Sequence, residues 1–227
     1  MAAAGAAALG LVGALTATQF AAADTRPERR IGTAALEDRL AAIAEITGGS
    51  ALVEVRDGRE VWSDAAGDRG LDDARGARPG DRVRIGSVTK SMVAAVVLQL
   101  DGEGAIDIDE PIGAYLPGLL PYEEDPTVRQ LLQHTSGVPD WVAVAYPGLE
   151  AGDLTLGGVQ MGCPDDPEEV FLGHVGDGMG HQTQTFHSYD GERQITLSWS
   201  IDDKHGYADP AAFGEALSGL LSAGLCG

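Results

Sequence analysis

The sequence contains no asparagine, only two lysines and only two cysteines among its 227 residues. Basic residues are scarce as a class, with 15 Lys and Arg against 35 Asp and Glu, so the formal net charge is −20. Such an acidic surface repels a phosphate backbone and no basic cluster offsets it, which excludes nucleic-acid binding. With 44% hydrophobic and 22% charged residues the composition is ordinary for one globular domain, which disfavours wholesale disorder and a polytopic membrane protein.

The first segment of the chain lacks charge altogether. Residues 1–23 are almost wholly small or apolar and end in Ala21-Ala22-Ala23 before Asp24. This pattern predicts a secretory signal peptide over 1–23, a mature domain over 24–227 and a secreted protein. The basic residues that normally open such a segment are missing, which leaves two alternatives: a start further upstream, or an uncleaved segment that anchors the protein to a membrane.

The two cysteines are Cys163 and Cys226. An even number of cysteines in a chain predicted to leave the cytosol favours a disulfide between them. The bridge would close a loop of about 60 residues and contribute about 4 kcal/mol on the chain-entropy account. Two buried free thiols are the alternative.

Apolar spacing and turn signals predict helices at both ends of the chain with antiparallel hairpins between them. The helical stripes are Leu36, Leu40, Ile43 and Ile46 near the start and Phe213, Leu217, Leu220 and Leu221 near the end. Asp57-Gly58 and Asp190-Gly191 are two-residue hairpin signals, and residues 64–81, rich in Asp, Gly and Arg, are predicted to form a loop. The predicted fold class is therefore α+β, an antiparallel β-sheet flanked by N- and C-terminal helices.

Two further helices are predicted in the middle of the chain. Residues 92–100 are apolar on nearly all sides, which predicts a deeply buried helix that starts after Ser87 and ends at Gly102. Thr127-Val128-Arg129-Gln130 is a capping-box pattern, which predicts the start of another helix.

Ser87 and Lys90 are the strongest candidates for chemistry. Two residues three apart on a helix share one face. A serine in the first turn has an N–H with no intrahelical acceptor, which can donate to an oxyanion. A lysine buried beside it is pushed towards its neutral form and can take the hydroxyl proton. The pair predicts an acylation site, and the alternative is a helix-capping serine beside a surface lysine.

The pair lies in the first of four segments that follow one another along the chain: 84–90 (RIGSVTK), 105–111 (AIDIDEP), 115–118 (YLPG) and 131–137 (LLQHTSG). Their succession closely resembles the serine D-alanyl-D-alanine carboxypeptidase and class C β-lactamase family, the penicillin-recognising serine hydrolases. The resemblance covers about residues 33–141 and 157–226. It implies an antiparallel sheet flanked by helices and joined to an all-α subdomain, with Ser87 as nucleophile and Lys90 as its base partner. It implies no metal and no cofactor.

A second stretch matches the family's Lys- or His-x-Gly element, Gly173-His174-Val175-Gly176 followed by Asp177. The resemblance implies that His174 lies near a substrate carboxylate and that Gly176 lets backbone approach the ligand. It also implies that the Asp177 N–H is the second oxyanion donor. Without the upstream motifs, a histidine in a glycine-rich turn would be the simpler interpretation.

The family's Tyr-x-Asn element is absent, since the chain has no asparagine. Only 32 residues separate Trp141 from His174, too few for the helical domain that carries the element. We therefore infer an internal deletion that removes most of the all-α subdomain and one wall of the cleft. Such a deletion should expose the apolar side of the Ser87 helix and favour self-association.

Together these features predict a secreted serine hydrolase that acylates at Ser87. Its substrates would be D-Ala-D-Ala peptides such as peptidoglycan stem peptides, β-lactams or small esters. The alternative is a catalytically dead remnant of the family that binds cell-wall peptide weakly. A metal site at His181 and His187 is not expected, because the pair lacks a third ligand nearby. His134 and Ser136 are expected to be structural.

Overall fold

The computed structural model describes residues 31–70, 73–122, 124–139, 158–178, 180–202 and 207–227. The predicted signal peptide, residues 1–23, lies outside them. The first half of the chain contains α1 (Thr33–Thr47), β1 (Ala51–Asp57), β2 (Glu60–Ala66), β3 (Asp68–Gly70), β4 (Asp73–Gly76), α2 (Val88–Gly102), a 3-10 turn (Ile112–Ala114) and α3 (Val128–Leu132). The second half contains β5 (Gly158–Gly162), β6 (Val170–Gly178), β7 (His181–His187), β8 (Arg193–Ser200) and α4 (Pro210–Leu225).

Six strands form one sheet in the order β2-β1-β8-β7-β6-β5, and every neighbouring pair is antiparallel. Both predicted hairpins are present, but their loops differ from the predicted Asp-Gly pairs. Asp57 pairs with Glu60, so the first loop is Gly58-Arg59, with φ of 56° at Gly58, and residues 188–192 connect β7 to β8, with φ of 72° at Gly191. The predicted α+β class, an antiparallel sheet flanked by terminal helices, is confirmed.

The prediction of a loop over 64–81 is wrong for residues 64–66, 68–70 and 73–76, which form strands, and holds for residues 77–81. Strand β2 continues to Ala66, and β3 pairs with β4 as a separate two-stranded ribbon. Gly67, with φ of 79°, makes the bend between β2 and β3, and Arg69 forms an ion pair with Asp81 beyond the ribbon. Backbone pairing stabilised by a turn and an ion pair needs no hydrophobic alternation, which is why the sequence pattern gave no sign of it.

The hydrophobic core lies between the terminal helices and one face of the sheet. Helices α1 and α4 pack on each other and on β8. Asp209 caps α4 by accepting from the N–H groups of Ala211 and Ala212, as its Asp-Pro start predicted. The largest fully buried side chains are those of Trp199, Phe171, Leu36, Leu40, Ile43, Ile195, Leu197, Leu220 and Leu225. No helix in the described ranges is long and apolar enough to cross a membrane.

Cys163 and Cys226 form the predicted disulfide, with their Cα atoms 5.7 Å apart. The bridge joins the end of β5 to the end of α4, across a sequence separation of 63 residues. It thereby fastens the last helix to the edge of the sheet.

We expect the double variant Cys163→Ala/Cys226→Ala to lower the free energy of unfolding by about 2–4 kcal/mol, because the unfolded chain regains the entropy of a long loop. Urea unfolding followed by circular dichroism measures this difference. A reducing agent should shift the midpoint of the parent by a similar amount and leave the variant unchanged. Equal midpoints for parent and variant would contradict a stabilising role.

Helix α2 lies on the opposite face of the sheet from α1 and α4, where it contacts β6 and β7. The prediction that it is deeply buried is wrong. Val88 is its one buried residue, whereas more than half of the Met92, Val93 and Val96 side chains is exposed. An apolar helix needs covering elements on every side, and the described elements reach only part of it. The exposed face agrees with the expectation that a missing helical subdomain uncovers this helix.

This exposed face leads us to expect self-association of the protein through α2. Burying apolar surface favours contact between two copies, while the charge of −20 on each copy opposes it. Added salt screens the repulsion, so the associated fraction should rise with salt concentration. Light scattering of the parent and of Val96→Glu measures it, with Val61→Glu as the control, since Val61 is an exposed valine on β2, away from α2. A monomer at every salt and protein concentration would contradict the expectation.

Candidate active site

The predicted nucleophile and base partner lie together at the start of α2. Ser87 is the N-cap residue, and three residues later Lys90 donates from Nζ to Ser87 Oγ at 2.7 Å. The Ser87 N–H precedes the helix ladder and has no intrahelical acceptor. The expected burial of Lys90 is not found, because its side chain is exposed. Helical spacing alone accounts for the contact between the two side chains.

The turn before Ser87 presses directly against β6. Gly86 has φ of 49°, and a Cβ on it would lie 2.8 Å from the Asp177 carbonyl oxygen and 3.1 Å from the Asp177 nitrogen. A Cβ on Gly176 would lie 2.0 Å from the Ile85 carbonyl oxygen and 3.0 Å from the Ser87 nitrogen. Only glycines allow such an approach of two backbones. The structure therefore brings together Ser87, Gly176 and Asp177. The N–H groups of Ser87 and Asp177 are the predicted oxyanion donors.

Gly86 is a site residue that the sequence analysis did not single out. It matters for the site because its φ is positive and because it contacts Asp177 of β6, some 90 residues later in the chain. The available signal was a glycine immediately before the nucleophile, at a point where the chain must turn into a helix. That signal does not say which part of the protein the turn will touch.

Asp177 contributes to this contact through its main chain. It pairs with Gln182, which pairs with Trp199 of the core, and residues directly opposite each other share a face of the sheet. Its carboxyl group is thus on the core face, away from the nucleophile turn. Burial raises the pKa of the Asp177 carboxyl above its ordinary value.

A cavity of about 600 Å³ opens beside Ser87 and Lys90. Its walls are mostly apolar side chains of α2 and α3. The lining residues are Gly86, Ser87, Thr89, Lys90, Val93, Ala94, Val97, Ile112, Val128, Leu131, Leu132, His134 and Asp177. Helix α3 starts with the predicted capping box, in which the side chains of Thr127 and Gln130 each bond the other residue's N–H. Its fixed position gives the cavity its second wall.

His174 lies on β6 two residues before Gly176, so both face the side of the sheet that carries the nucleophile turn. Its side chain is buried, and its Nδ1 lies 2.7 Å from the Val175 carbonyl oxygen. Because a carbonyl only accepts, Nδ1 carries a proton in this arrangement. Neither His174 nor Gly176 lines the cavity. The structure thus places His174 on the correct face of the sheet but not at the cavity wall.

The remaining histidines occupy separate places. His181 and His187 stand at opposite ends of β7. Across the described ranges, no group of three His, Cys, Asp or Glu side chains could hold a metal ion. His134, expected to be structural, lines the cavity and has φ of 57°, the one positive value outside glycine among the described residues.

Parts of the chain are similar in sequence to known proteins. The family model described as Beta-lactamase matches residues 34–153. The D-aminopeptidase of Brucella anthropi is 30% identical over 139 residues, which are 61% of this chain and 23% of that protein. Esterase EstB of Burkholderia gladioli is 32% identical over 99 residues, 41% of this chain and 25% of that protein. The chain spans a quarter or less of the length of these two relatives.

Solved structures show the same fold. The beta-lactamase/D-alanine carboxypeptidase from Yersinia pestis superposes with a TM-score of 0.60 at 12% identity, covering 86% of this chain and 100% of that chain. At 12% identity, the superposition shows a shared fold only. Family membership rests on the match to the family model. Since that model covers more than half of the chain, including the whole nucleophile segment, the protein belongs to the Beta-lactamase family.

Proposed function

We propose that the protein is a serine hydrolase that cleaves amides or esters through an acyl-enzyme at Ser87. The observation that carries this proposal is the 2.7 Å hydrogen bond between Lys90 Nζ and Ser87 Oγ, at the opening of a cavity of substrate size. Membership of the Beta-lactamase family supports it.

In the proposed first step Ser87 Oγ attacks the acyl carbon while Lys90, as the neutral amine, takes the hydroxyl proton. The carbonyl oxygen becomes an oxyanion and accepts hydrogen bonds from the N–H groups of Ser87 and Asp177. Lys90 then returns the proton to the leaving amine or alcohol as its bond to the acyl carbon breaks. In a second cycle, water attacks the acyl-Ser87 ester while Lys90 takes its proton. The acid is released, and Lys90 returns the proton to Ser87 Oγ.

The exposure of Lys90 bears directly on this mechanism. An ammonium group in water stays charged and cannot accept a proton, so the amine becomes a base only when something excludes water from it. Lys90 lines the cavity, and a bound acyl donor would cover its head. We therefore propose that the ammonium of Lys90 releases one proton to solvent as the substrate binds and covers it, which leaves an amine that can accept the Ser87 hydroxyl proton.

We propose D-Ala-D-Ala peptides such as peptidoglycan stem peptides, β-lactams or small esters as substrates. The apolar cavity accepts a small acyl group, and the D-aminopeptidase and esterase among the relatives act on the two bond types. His174 is proposed to bind the substrate, because it lies on the face of β6 that carries the nucleophile turn. His174 is buried and does not line the cavity, so this role requires part of the substrate to extend past the cavity wall to His174. Gly176 is proposed to serve the site indirectly, by letting that turn approach β6.

A second function is binding of cell-wall peptide without turnover. The observation that favours it is the water-exposed Lys90, together with the lack of a Tyr-x-Asn element in the sequence. Loss of one proton-relay residue costs about 10²- to 10⁴-fold in rate.

Intact mass after incubation of the full chain with benzylpenicillin, and separately with a fluorophosphonate ester, distinguishes the two functions. We expect one covalent adduct on the parent and none on Ser87→Ala. Ser91→Ala is the matched control, since Ser91 lies one turn further on the same helix and bonds only the Val88 carbonyl in the described structure, so its adduct should persist. A folded parent without any adduct would contradict hydrolysis and favour binding alone.

We also propose that the protein is exported. The disulfide supports export, because such bridges persist in oxidising compartments. N-terminal sequencing of secreted protein should find Asp24 as the first residue, and retention of residues 1–23 on membranes would favour the anchored alternative.

A further inference from the structure

Three small residues form a row across the centre of the sheet, on the face that carries α2. Gly176 of β6 pairs with Thr183 of β7, and Thr183 pairs with Ser198 of β8. Paired residues share a face, so all three lie beneath the segment that leads into Ser87. Thr183 is fully buried and Ser198 is 4% exposed. Two buried hydroxyl groups on this face need a reason, since a polar group is costly to bury.

The hydroxyl of Thr183 bonds the chain just before the nucleophile. Thr183 Oγ1 donates to the Arg84 carbonyl oxygen at 3.0 Å and to Ser198 Oγ at 2.9 Å. Ser198 Oγ in turn donates to the Gln182 carbonyl oxygen at 3.1 Å. A threonine hydroxyl has one proton, so its two acceptors share it. The bond to Arg84 links β7 to a segment 99 residues away in the sequence.

The segment that receives this bond has no regular structure of its own. Residues 82–85 belong to neither helix nor strand, so a ladder of hydrogen bonds does not fix them. They are held to the sheet at two points: Gly176 contacts Ile85 and Ser87, and Thr183 bonds Arg84. Together these two contacts fix the direction in which the chain enters α2 and its distance from the sheet.

We infer that Thr183 is a positioning residue that sets the location of Ser87 through its hydrogen bond to the Arg84 carbonyl. This inference rests on the proposed function, because it assigns Thr183 a role in acylation at Ser87. Thr183 does not touch the reacting atoms. It acts by holding the turn so that Ser87 Oγ and the two oxyanion N–H groups keep one geometry, to which acyl transfer is sensitive at the ångström level.

Three variants separate positioning from general stability. Thr183→Val keeps the shape and removes the hydroxyl, whereas Thr183→Ser keeps the hydroxyl and restores the bond. Ser198→Ala removes the neighbouring buried hydroxyl but leaves the bond to Arg84, which then receives the whole Thr183 proton. The two deletions each remove one buried hydroxyl from the same network, and one of them breaks the contact with the nucleophile segment.

Acylation kinetics and amide hydrogen exchange supply the two measurements. For Thr183→Val we expect the rate of acylation by a fluorophosphonate or penicillin to fall by about 10- to 100-fold, mainly in the chemical step and not in binding. Thr183→Ser and Ser198→Ala should stay within about threefold of the parent, because the bond to Arg84 persists. The N–H groups of Val88, Thr89 and Lys90 bond the carbonyls of residues 85–87, so their exchange should accelerate in Thr183→Val alone.

Each outcome has a defined meaning. Unchanged acylation and unchanged exchange in Thr183→Val would overturn the inference, and so would an equal loss in Ser198→Ala, which would indicate a general effect on the sheet. If the parent itself is not acylated, the proposed function fails. The exchange of the three N–H groups still decides then whether Thr183 holds the turn.

Discussion

Replacing Lys90 by methionine is expected to slow acylation of Ser87 by about 10²- to 10⁴-fold, the contribution typical of a general base. Lys90 Nζ is 2.7 Å from Ser87 Oγ, and methionine keeps much of the length of the side chain without a proton acceptor of comparable basicity. The side chain is exposed, so its replacement removes no core packing and should change the free energy of unfolding by less than about 0.5 kcal/mol. Adduct formation followed by intact mass over time measures the rate, and calorimetry measures stability.

Lys90→Arg is the control that separates a base from a charge. Arginine keeps the positive charge near Ser87 but does not lose its proton in proteins. If Lys90 is the base, Lys90→Arg is as slow as Lys90→Met. Near-parental activity in Lys90→Arg would contradict proton transfer and assign Lys90 an electrostatic role.

Elements with a strong local signal were predicted correctly from the sequence. The presence of both hairpins, the Asp209-Pro210 helix start and the capping box at Thr127 each depend on signals within a few residues, so their outcome depends little on the rest of the chain, although both hairpin loops differ from the predicted Asp-Gly pairs. The contact between the Ser87 and Lys90 side chains was predictable for the same reason, because helical spacing alone brings them together.

Burial of α2 could not be predicted in this way. An apolar run such as 92–100 predicts a helix, but what covers the helix depends on elements elsewhere in the chain. The short span between Trp141 and His174 led to a different prediction, that the covering subdomain is reduced and α2 exposed. Two inferences from the same sequence therefore disagreed, and the one based on length agrees with the exposed Met92, Val93 and Val96.

The contact between the nucleophile turn and β6 is the least local feature of the site. Family resemblance indicated Gly176 and Asp177, but neither pattern nor spacing pointed to Gly86 or to Thr183. Both matter because of a neighbour that is distant in the sequence: Gly86 touches Asp177, and Thr183 bonds Arg84. Tertiary packing determines which residues form such pairs. In a single sequence, nothing distinguishes Gly86 or Thr183 from the other glycines and threonines.

That contact leads to the prediction with the largest combined effect on stability and activity, for Gly176→Ala. The added Cβ would lie 2.0 Å from the Ile85 carbonyl oxygen and 3.0 Å from the Ser87 nitrogen. Both are backbone atoms, so no flexible side chain can move aside, and either β6 or the nucleophile turn must shift. We expect the free energy of unfolding to fall by about 1–3 kcal/mol, as for other overpacked sites.

The same shift should reduce acylation by about 10²-fold or more, because it separates the Ser87 and Asp177 N–H groups that would hold the oxyanion. Gly178→Ala is the matched control on the same strand, since its Cβ would lie 3.7 Å from the nearest backbone atom, an ordinary contact. Chemical denaturation and adduct kinetics on both variants test the prediction. Parental acylation in Gly176→Ala would mean that the turn and β6 are not in contact during catalysis. If Gly176→Ala loses acylation and Gly178→Ala acylates like the parent, the effect arises where β6 contacts the backbone of Ile85 and Ser87. The acylation site then depends on a close approach of two backbones that only glycine allows.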